Sequence, residues 1–277
     1  MILFGPAGLG GVKEAVSNLQ EYSKLGLKAC EIAFTYGIYI KPGKEAEEIG
    51  KAARRFGIRL SIHAPYWINL NSEDKKKIQQ SKKRILDCCR IASILGAEVV
   101  VFHAGFYGKR GKEESYENIK NSIIEMQEEI KKNKWKIKIA PETMGKINVF
   151  GSVEEILKLV EDTGCFFAVD FAHLKARVQG KTTYKEIYKN FKEFKELHIH
   201  FSGIEWGDKG ERNHKLTEEK EIKELLEALP KNKDIVIINE SPNPVGDSVK
   251  SLDILKRIFK EHHVANFGWN CEDLKKL

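Results

Sequence analysis

Residues 96–105 read Gly-Ala-Glu-Val-Val-Val-Phe-His-Ala-Gly and contain the structural unit that repeats along this chain. Its four consecutive apolar residues, 99–102, are typical of a strand that is buried on both faces, as in a parallel sheet. The glycine at 96 follows a helical apolar pattern over residues 73–95, which is where a left-handed helix cap is expected. The stretch therefore closes a helix, forms a buried strand and ends in a histidine.

The same helix and strand unit recurs along the chain. Short apolar runs predict strands at residues 2–4, 29–34, 58–63, 98–102, 136–140, 165–169, 197–201 and 235–238. Amphipathic segments predict helices at residues 12–25, 44–56, 73–95, 114–132, 153–162, 184–194, 218–229 and 249–262. A (β/α)8 TIM barrel takes about 250 residues. We therefore predict one such α/β barrel as a single domain over residues 1–277, with a doubly wound open sheet as the alternative.

Composition excludes several classes of protein. The formal net charge of +7 is compatible with a polyanionic partner but does not establish one. The five cysteines include no Cys-x-x-Cys pair, so we expect neither a disulfide framework nor an all-cysteine zinc site. The chain has no signal-peptide pattern and no apolar run of the roughly 20 residues that a membrane helix needs. We expect a soluble, cytoplasmic protein.

Six consecutive predicted strands end in a histidine, an aspartate or a glutamate. In chain order these residues are His63, His103, Glu142, Asp170, His200 and Glu240, and His173 follows three residues after Asp170. The carboxyl ends of barrel strands converge on one shared site. Three imidazoles and three carboxylates there would bury unpaired charge, at a cost of several kcal/mol, unless a cation binds them. This ligand set predicts Zn²⁺, with Mn²⁺ or Fe²⁺ as alternatives.

The number of ligands predicts more than one ion. A mononuclear catalytic zinc site uses three protein ligands, which is fewer than the strand ends supply. The central Glu142 can bridge two ions about 3.5–4 Å apart, the spacing used to hydrolyse phosphate esters. Glu142 and Glu240 are our candidate catalytic residues, because either carboxylate could orient the nucleophile. His198 and His200 share a strand face, and we assign the ligand role to His200 because it is nearer the strand end.

The loop after the third predicted strand carries aromatic residues beside this site. Tyr66 is expected to face the substrate, because an aromatic ring can stack on a base or fill a gap in a duplex, and Asn69 is expected to face solvent. Trp67, Ile68 and Leu70 are expected to pack beneath the loop. A second, charge-rich loop at residues 207–215 contains candidate ligands for a third ion.

Taken together, these motifs resemble the endonuclease IV family of apurinic/apyrimidinic endonucleases, a DNA-repair family with a (β/α)8 barrel and three zinc ions. The segments that carry the resemblance are His63-Ala64-Pro65-Tyr66-Trp67-Ile68-Asn69-Leu70, Phe102-His103-Ala104-Gly105, Pro141-Glu142-Thr143, Asp170-Phe171-Ala172-His173, His198-Ile199-His200 and Asn239-Glu240-Ser241. The resemblance implies hydrolysis of the phosphodiester 5′ to an abasic site in damaged double-stranded DNA, which leaves a 3′-hydroxyl and a 5′ deoxyribose phosphate. We expect a monomer with no membrane partner.

The resemblance also assigns ligands to each ion. It implies one zinc on His63, His103 and Glu142, and a second on Glu142, Asp170, His200 and Glu240. It implies a third zinc on His173. The family completes that site from an Asp-Arg-His segment, whereas this chain has Glu211-Arg212-Asn213-His214. We expect Glu211 and His214 to be the remaining ligands, and Asp208 is the alternative ligand.

The resemblance also places Tyr66 and Asn69 in the loop that probes the abasic gap. Residues 35–41 carry no amide side chain and, apart from Lys41 at the end, no basic side chain of the kind expected for reaching into a duplex. DNA recognition is therefore expected to be built differently here.

Two other functions use parts of the same pattern. A sugar isomerase or epimerase on this barrel type holds a single Mn²⁺ or Co²⁺ with Glu, Asp, His and Glu from strands five to eight. That chemistry does not require His63, His103 or His173, so the number of bound ions discriminates the two enzymes. A DNA-binding protein with vestigial metal sites is a non-enzymatic alternative, which the intact ligand set disfavours.

Overall fold

Eight parallel strands form a barrel in the computed structural model, which describes residues 1–264 with side chains through residue 260. The barrel strands are β1 (Ile2–Pro6), β2 (Ala29–Ala33), β3 (Arg59–His63), β4 (Val99–Phe102), β5 (Lys138–Pro141), β6 (Ala168–Asp170), β7 (Glu196–Phe201) and β10 (Asp234–Asn239); a hairpin of β8 (Gly203–Gly207) and β9 (Gly210–Lys215) follows β7. The helices are α1 (Ala15–Lys24), α2 (Lys44–Phe56), α3 (Lys75–Leu95), α4 (Lys112–Lys132), α5 (Val153–Thr163), α6 (Phe171–Arg177), α7 (Tyr184–Lys189), α8 (Glu219–Ala228) and α9 (Pro244–Val264).

The strands close into a ring. Backbone pairing gives the orders β1-β10-β7-β6 and β2-β3-β4-β5. Parallel bridges between Ala7 and Glu31, and between Glu142 and Ala168, join these two halves. The predicted (β/α)8 barrel is confirmed, and the open-sheet alternative is wrong.

Two kinds of residue explain why the sequence folds in this way. Gly57, Gly96 and Gly164 end their helices with φ of 67°, 75° and 67°, a left-handed conformation that costs glycine little. The apolar strands are buried on both faces: alternate residues pack against the helices outside or fill the barrel inside. Gly5 is required where β1 passes β2, because a Cβ there would lie 1.9 Å from the carbonyl oxygen of Ala29.

The main difference from the sequence prediction follows β6 and β7. The short helix α6 and the hairpin β8–β9 were not predicted, and they pack against each other over the barrel mouth. Predicted and observed helix ends also differ, since α1 begins at Ala15 and α9 at Pro244.

Four of the five cysteines lie within the described residues, and Cys271 lies outside them. Cys30, Cys88, Cys89 and Cys165 are buried and free.

Within residues 1–264, no helix is both long enough and apolar enough to cross a membrane.

Candidate metal centre

The barrel brings the six strand-end residues together at the carboxyl ends of its strands. His63, Asp170 and His200 lie in β3, β6 and β7, whereas His103, Glu142 and Glu240 follow β4, β5 and β10 directly. Parallel barrel strands all end at the same mouth of the barrel. The six residues, one from each of these strands, therefore lie close together.

The carboxylate of Glu142 is completely buried at the centre of the cluster. Its Oε2 atom lies 3.2 Å from His63 Nε2 and 3.0 Å from His103 Nε2. Its Oε1 atom faces the other way and lies 3.1 Å from His200 Nδ1. The two oxygens of one carboxylate therefore point into two different groups of ligands, as a bridging carboxylate requires.

Among the sets of side chains that meet the spatial requirement for a cation, two share Glu142. The ligand atoms lie within 4.8 Å of one another in each set, which comprise His63, His103 and Glu142, and Glu142, Asp170, His200 and Glu240. The Oδ2 atom of Asp170 is buried and has no hydrogen-bond partner within the described part of the chain. A buried carboxylate oxygen without a donor is costly, and a divalent cation would satisfy it. The residues therefore fit the implied metal ions.

Backbone contacts orient two of the imidazoles. His63 Nδ1 lies 2.7 Å from the carbonyl oxygen of Ala64, and His173 Nδ1 lies 3.1 Å from that of Thr143. A carbonyl only accepts hydrogen bonds, so each Nδ1 carries the proton and leaves the Nε2 lone pair free for a cation. In both residues Nε2 points to a carboxylate of the centre, Glu142 or Glu211.

A third group forms around His173. Its Nε2 atom lies 3.5 Å from Oε2 of Glu211, an atom that is buried without a hydrogen-bond partner in the described residues. The rings of His173 and His214 are 5.3 Å apart. Asp170, His173 and His214 also lie close enough to share an ion. The structure thus gathers the expected third-site residues, whereas Asp208 is exposed at the hairpin turn.

A β-bulge lets Glu211 and His214 share one face of the hairpin. Glu205 pairs with Asn213 and Trp206 pairs with Glu211, so Arg212 is the extra, unpaired residue. Residues three apart on a regular strand point to opposite faces, and one bulged residue corrects this. The bulge accommodates the longer spacing of the Glu211 to His214 segment.

Gly145 leaves the space in which Glu211 sits. A Cβ atom at this position would lie 2.6 Å from Glu211 Cβ and 3.2 Å from His173 Cα.

Gly145→Ala is therefore expected to displace Glu211 and to lower the metal content by one ion, while ions held by the two sets that share Glu142 would remain. Elemental analysis of purified protein measures this. Gly111→Ala is the control, because a Cβ at Gly111 meets nothing within 4 Å; unchanged metal content in Gly145→Ala would contradict the assignment of Glu211.

The charges of the centre shift the pKa values of its residues. Burial alone would raise the pKa of Glu142, but His200 and two further histidines hold it well below its usual range. Burial opposes charge on His200, yet three surrounding carboxylates raise the pKa of its imidazole well above the usual value. Burial raises the pKa of Asp170 to about 7, with His173 acting in the opposite direction. Near neutral pH, the centre holds protons that a divalent cation must displace.

Metal binding is therefore expected to release protons and to strengthen as the pH rises from about 6 to about 8, a range that brackets the raised pKa of Asp170 at about 7. A histidine with a raised pKa stays protonated at lower pH, and only its neutral form is a ligand, so protons compete with the ion there. Titration calorimetry in buffers of different ionisation enthalpy counts the released protons. Equal affinity at both pH values, without proton release, would be inconsistent with this charge arrangement.

A cavity of about 360 Å³ lies over the cluster and is lined by ligands and by the loop residues Tyr66 and Phe106. Tyr66 is 51% exposed, and its ring stacks on His103 at 5.3 Å with an interplanar angle of 7°. The prediction that Trp67 packs beneath the loop is wrong, because Trp67 is 49% exposed and lies beside Tyr36. The cavity mouth therefore has an aromatic rim.

The other loop predictions have mixed outcomes. Ile68 and Leu70 are buried as expected. Asn69 is partly buried, and its Oδ1 accepts hydrogen bonds from the backbone amides of Asn71 and Phe106. These bonds join the loops after β3 and β4.

Sequence reasoning missed one buried acid. Glu31 is 0% exposed in the middle of β2 and contacts both His198 and His200. The signal was available, since a glutamate inside an apolar strand is rarely buried unless it is paired. Its partners lie 167 and 169 residues away, which no local pattern shows.

Several known sequences are similar to this chain. A family model described as a xylose isomerase-like TIM barrel matches residues 19–258. An uncharacterized protein of Methanocaldococcus jannaschii is 34% identical over 266 residues, which cover 90% of this chain and 95% of that protein. The apurinic-apyrimidinic endonuclease of Caenorhabditis elegans is 29% identical over 258 residues, which cover 83% of this chain and 62% of that protein.

Solved structures share the barrel. Endonuclease IV from Thermus thermophilus matches with a TM-score of 0.71 at 20% identity, over 94% of this chain and 100% of that one. A D-tagatose 3-epimerase-like protein matches with a TM-score of 0.70 at 21% identity, over 93% of this chain and 97% of that one. At such identities the likeness concerns the fold alone, because one barrel supports many reactions.

Proposed function

The chain belongs to the xylose isomerase-like TIM barrel family, and we propose that it is a metal-dependent DNA endonuclease. The proposed reaction is hydrolysis of the phosphodiester 5′ to an abasic site. One observation carries the proposal: the two oxygens of Glu142 face two separate groups of ligands, at 3.0 Å from His103 and 3.1 Å from His200. A bridged pair of ions is the arrangement used for in-line displacement at phosphorus.

The chain's residues would hold these ions as follows. His63, His103 and Glu142 form one set, and Glu142, Asp170, His200 and Glu240 form the other. His173, Glu211 and His214 would hold a third ion. Mixed imidazole and carboxylate ligands suit Zn²⁺, with Mn²⁺ and Fe²⁺ as alternatives.

Such ions supply, when bound, a water that ionises near neutral pH and positive charge that offsets the charge developing on the phosphate. Glu142 fixes the two groups relative to each other. Glu240 lines the cavity, and its side chain is 16% exposed. From this position its carboxylate can orient an attacking water and accept a proton.

The loops around the mouth fit a nucleic-acid partner. Tyr66, Trp67, Tyr36 and Phe106 are all exposed, and base stacking on an aromatic ring contributes about 1–3 kcal/mol per base. The formal net charge of +7 is compatible with a polyanionic partner. We propose damaged double-stranded DNA as the partner, with Tyr66 in contact with the abasic gap and Asn69 beside it.

A ketose epimerase is the second candidate. The set Glu142, Asp170, His200 and Glu240 would alone hold a single ion. His63 and His103 distinguish the two candidates, because a second ion depends on these imidazoles.

His103→Ala is expected to lower the metal content by one ion and cleavage of an abasic duplex by on the order of 10²-fold. The variant is expected to fold, because the side chain of His103 is 21% exposed. Elemental analysis and cleavage of a labelled duplex measure the two effects, and His63→Ala should reproduce both. Undiminished activity on a ketose, with one ion in both wild type and variant, would instead favour the epimerase.

A further inference from the structure

The inside of the barrel carries a polar layer directly beneath the candidate metal centre. Glu31 on β2, Ser61 on β3 and His198 on β7 are 0%, 4% and 3% exposed. Branched apolar residues dominate the interior layers of barrels of this type. A buried carboxylate is costly unless it is paired, so this layer calls for a specific reason.

The carboxylate of Glu31 collects polar contacts from two neighbouring side chains. The hydroxyl of Ser61 donates to Glu31 Oε2 at 2.8 Å, and His198 Nε2 lies 2.9 Å from the same oxygen. These two contacts occupy one oxygen and fix the orientation of the carboxylate. The other oxygen, Oε1, points up the barrel toward His200.

His200 connects this layer to the ligands above it. Its Nε2 atom lies 3.0 Å from Glu31 Oε1, and its Nδ1 atom lies 3.1 Å from Glu142 Oε1. Glu31 Oε1 and His200 Nε2 are both buried, and neither has a hydrogen-bond partner in residues 1–260, because their 3.0 Å contact is an ion pair without the alignment of a hydrogen bond. Because a buried polar atom without a partner is costly, a rotation of either side chain that aligns this pair would satisfy both atoms.

We propose that Glu31 is a positioning residue for the metal centre. Its carboxylate accepts a hydrogen bond from Nε2–H of His200 and so keeps the Nδ1 lone pair directed at the ligand group. Ser61 and His198 hold Glu31 in place for this role. Carboxylate and imidazole pairs of this kind fix the tautomer of a metal-binding histidine and strengthen it as a ligand. The inference rests on the proposed metal centre.

The same atoms do not suit a further ion. Glu31, His198 and His200 lie close enough together to surround a cation. Such an ion would use Nε2 of His200 while Nδ1 serves the upper group, so the ring would have to lose both of its protons. The Oε2 atom of Glu31 already accepts from Ser61 and faces His198. The contacts therefore favour a hydrogen-bonded support.

Glu31→Gln tests the proposal, because it keeps the size of the side chain and removes its charge. The variant is expected to bind metal about 10–100-fold more weakly, as for other groups that support a metal ligand. Competition with a chromophoric chelator, using Zn²⁺ alone as the probe, measures the affinity without any catalytic assay. Ile32→Val is the matched control: Ile32 is buried in the adjacent position of β2 and packs in the outer core. It should bind Zn²⁺ as wild type does.

A measurement on the wild-type protein covers the case in which Glu31→Gln fails to fold. Nitrogen-15 NMR of the Zn²⁺-loaded chain should show His200 protonated at Nε2 and bound at Nδ1. The opposite tautomer, or wild-type Zn²⁺ affinity in Glu31→Gln, would overturn the role of Glu31 alone. Failure of the wild type to bind Zn²⁺ would overturn the metal centre as well.

Discussion

Glu142→Gln is expected to lower the rate of abasic-site cleavage by about 10³-fold or more. The amide removes the charge shared by both ligand groups, since Glu142 contacts His63 and His103 through one oxygen and His200 through the other. Metal ions contribute several kcal/mol of transition-state stabilisation, and each 1.36 kcal/mol is about a tenfold change in rate. Cleavage of a labelled abasic duplex under single-turnover conditions measures the loss.

A matched substitution separates this effect from a general loss of buried charge. Glu221 is another largely buried carboxylate, and it accepts hydrogen bonds from Lys175 and Tyr184 away from the cluster. Glu221→Gln should retain wild-type cleavage and metal content. A Glu142→Gln variant that keeps near-normal cleavage would exclude Glu142 as the bridge.

Removal of metal is expected to abolish cleavage and to destabilise the fold. Binding at a free concentration 1,000 times the dissociation constant stabilises a protein by about 4 kcal/mol. For a chain of this size, such a change corresponds to a Tm shift on the order of 10 °C. Thermal denaturation before and after treatment with a strong chelator measures the shift, and cleavage assays follow the activity.

The control for this experiment is to add the metal back. Adding Zn²⁺ back to the chelated protein should recover both Tm and cleavage, which excludes irreversible damage by the chelator. Full cleavage by demonstrably metal-free protein would disprove a mechanism that depends on metal.

Much of the fold follows from local physical chemistry. Buried strands such as β4 are recognisable because their apolar residues do not alternate, and glycines such as Gly96 mark the helix ends. The resemblance to the endonuclease IV family, predicted from the ordered motifs, is confirmed by the family match and the related sequences. The hairpin β8–β9 escaped prediction because its charged residues resemble a solvated loop, whereas its position depends on packing against α6.

The candidate site is predictable only where residues lie at strand ends. His63, His103 and Glu142 are recognisable because barrel topology brings strand ends together. Glu31 lies in the middle of a strand, and its partner His198 is 167 residues away, so only the closed barrel reveals their contact. Trp67 likewise contacts Tyr36, which lies in another loop, so local sequence does not show this neighbour.

The product formed from an end-labelled duplex that carries one abasic site tests the proposed endonuclease activity directly. The metal-loaded wild-type chain should make a single cut 5′ to that site, leave a 3′-hydroxyl that a polymerase can extend, and spare an undamaged duplex. No cut by protein that holds two ions per chain, or conversion of a ketose by protein that holds one, would contradict the account.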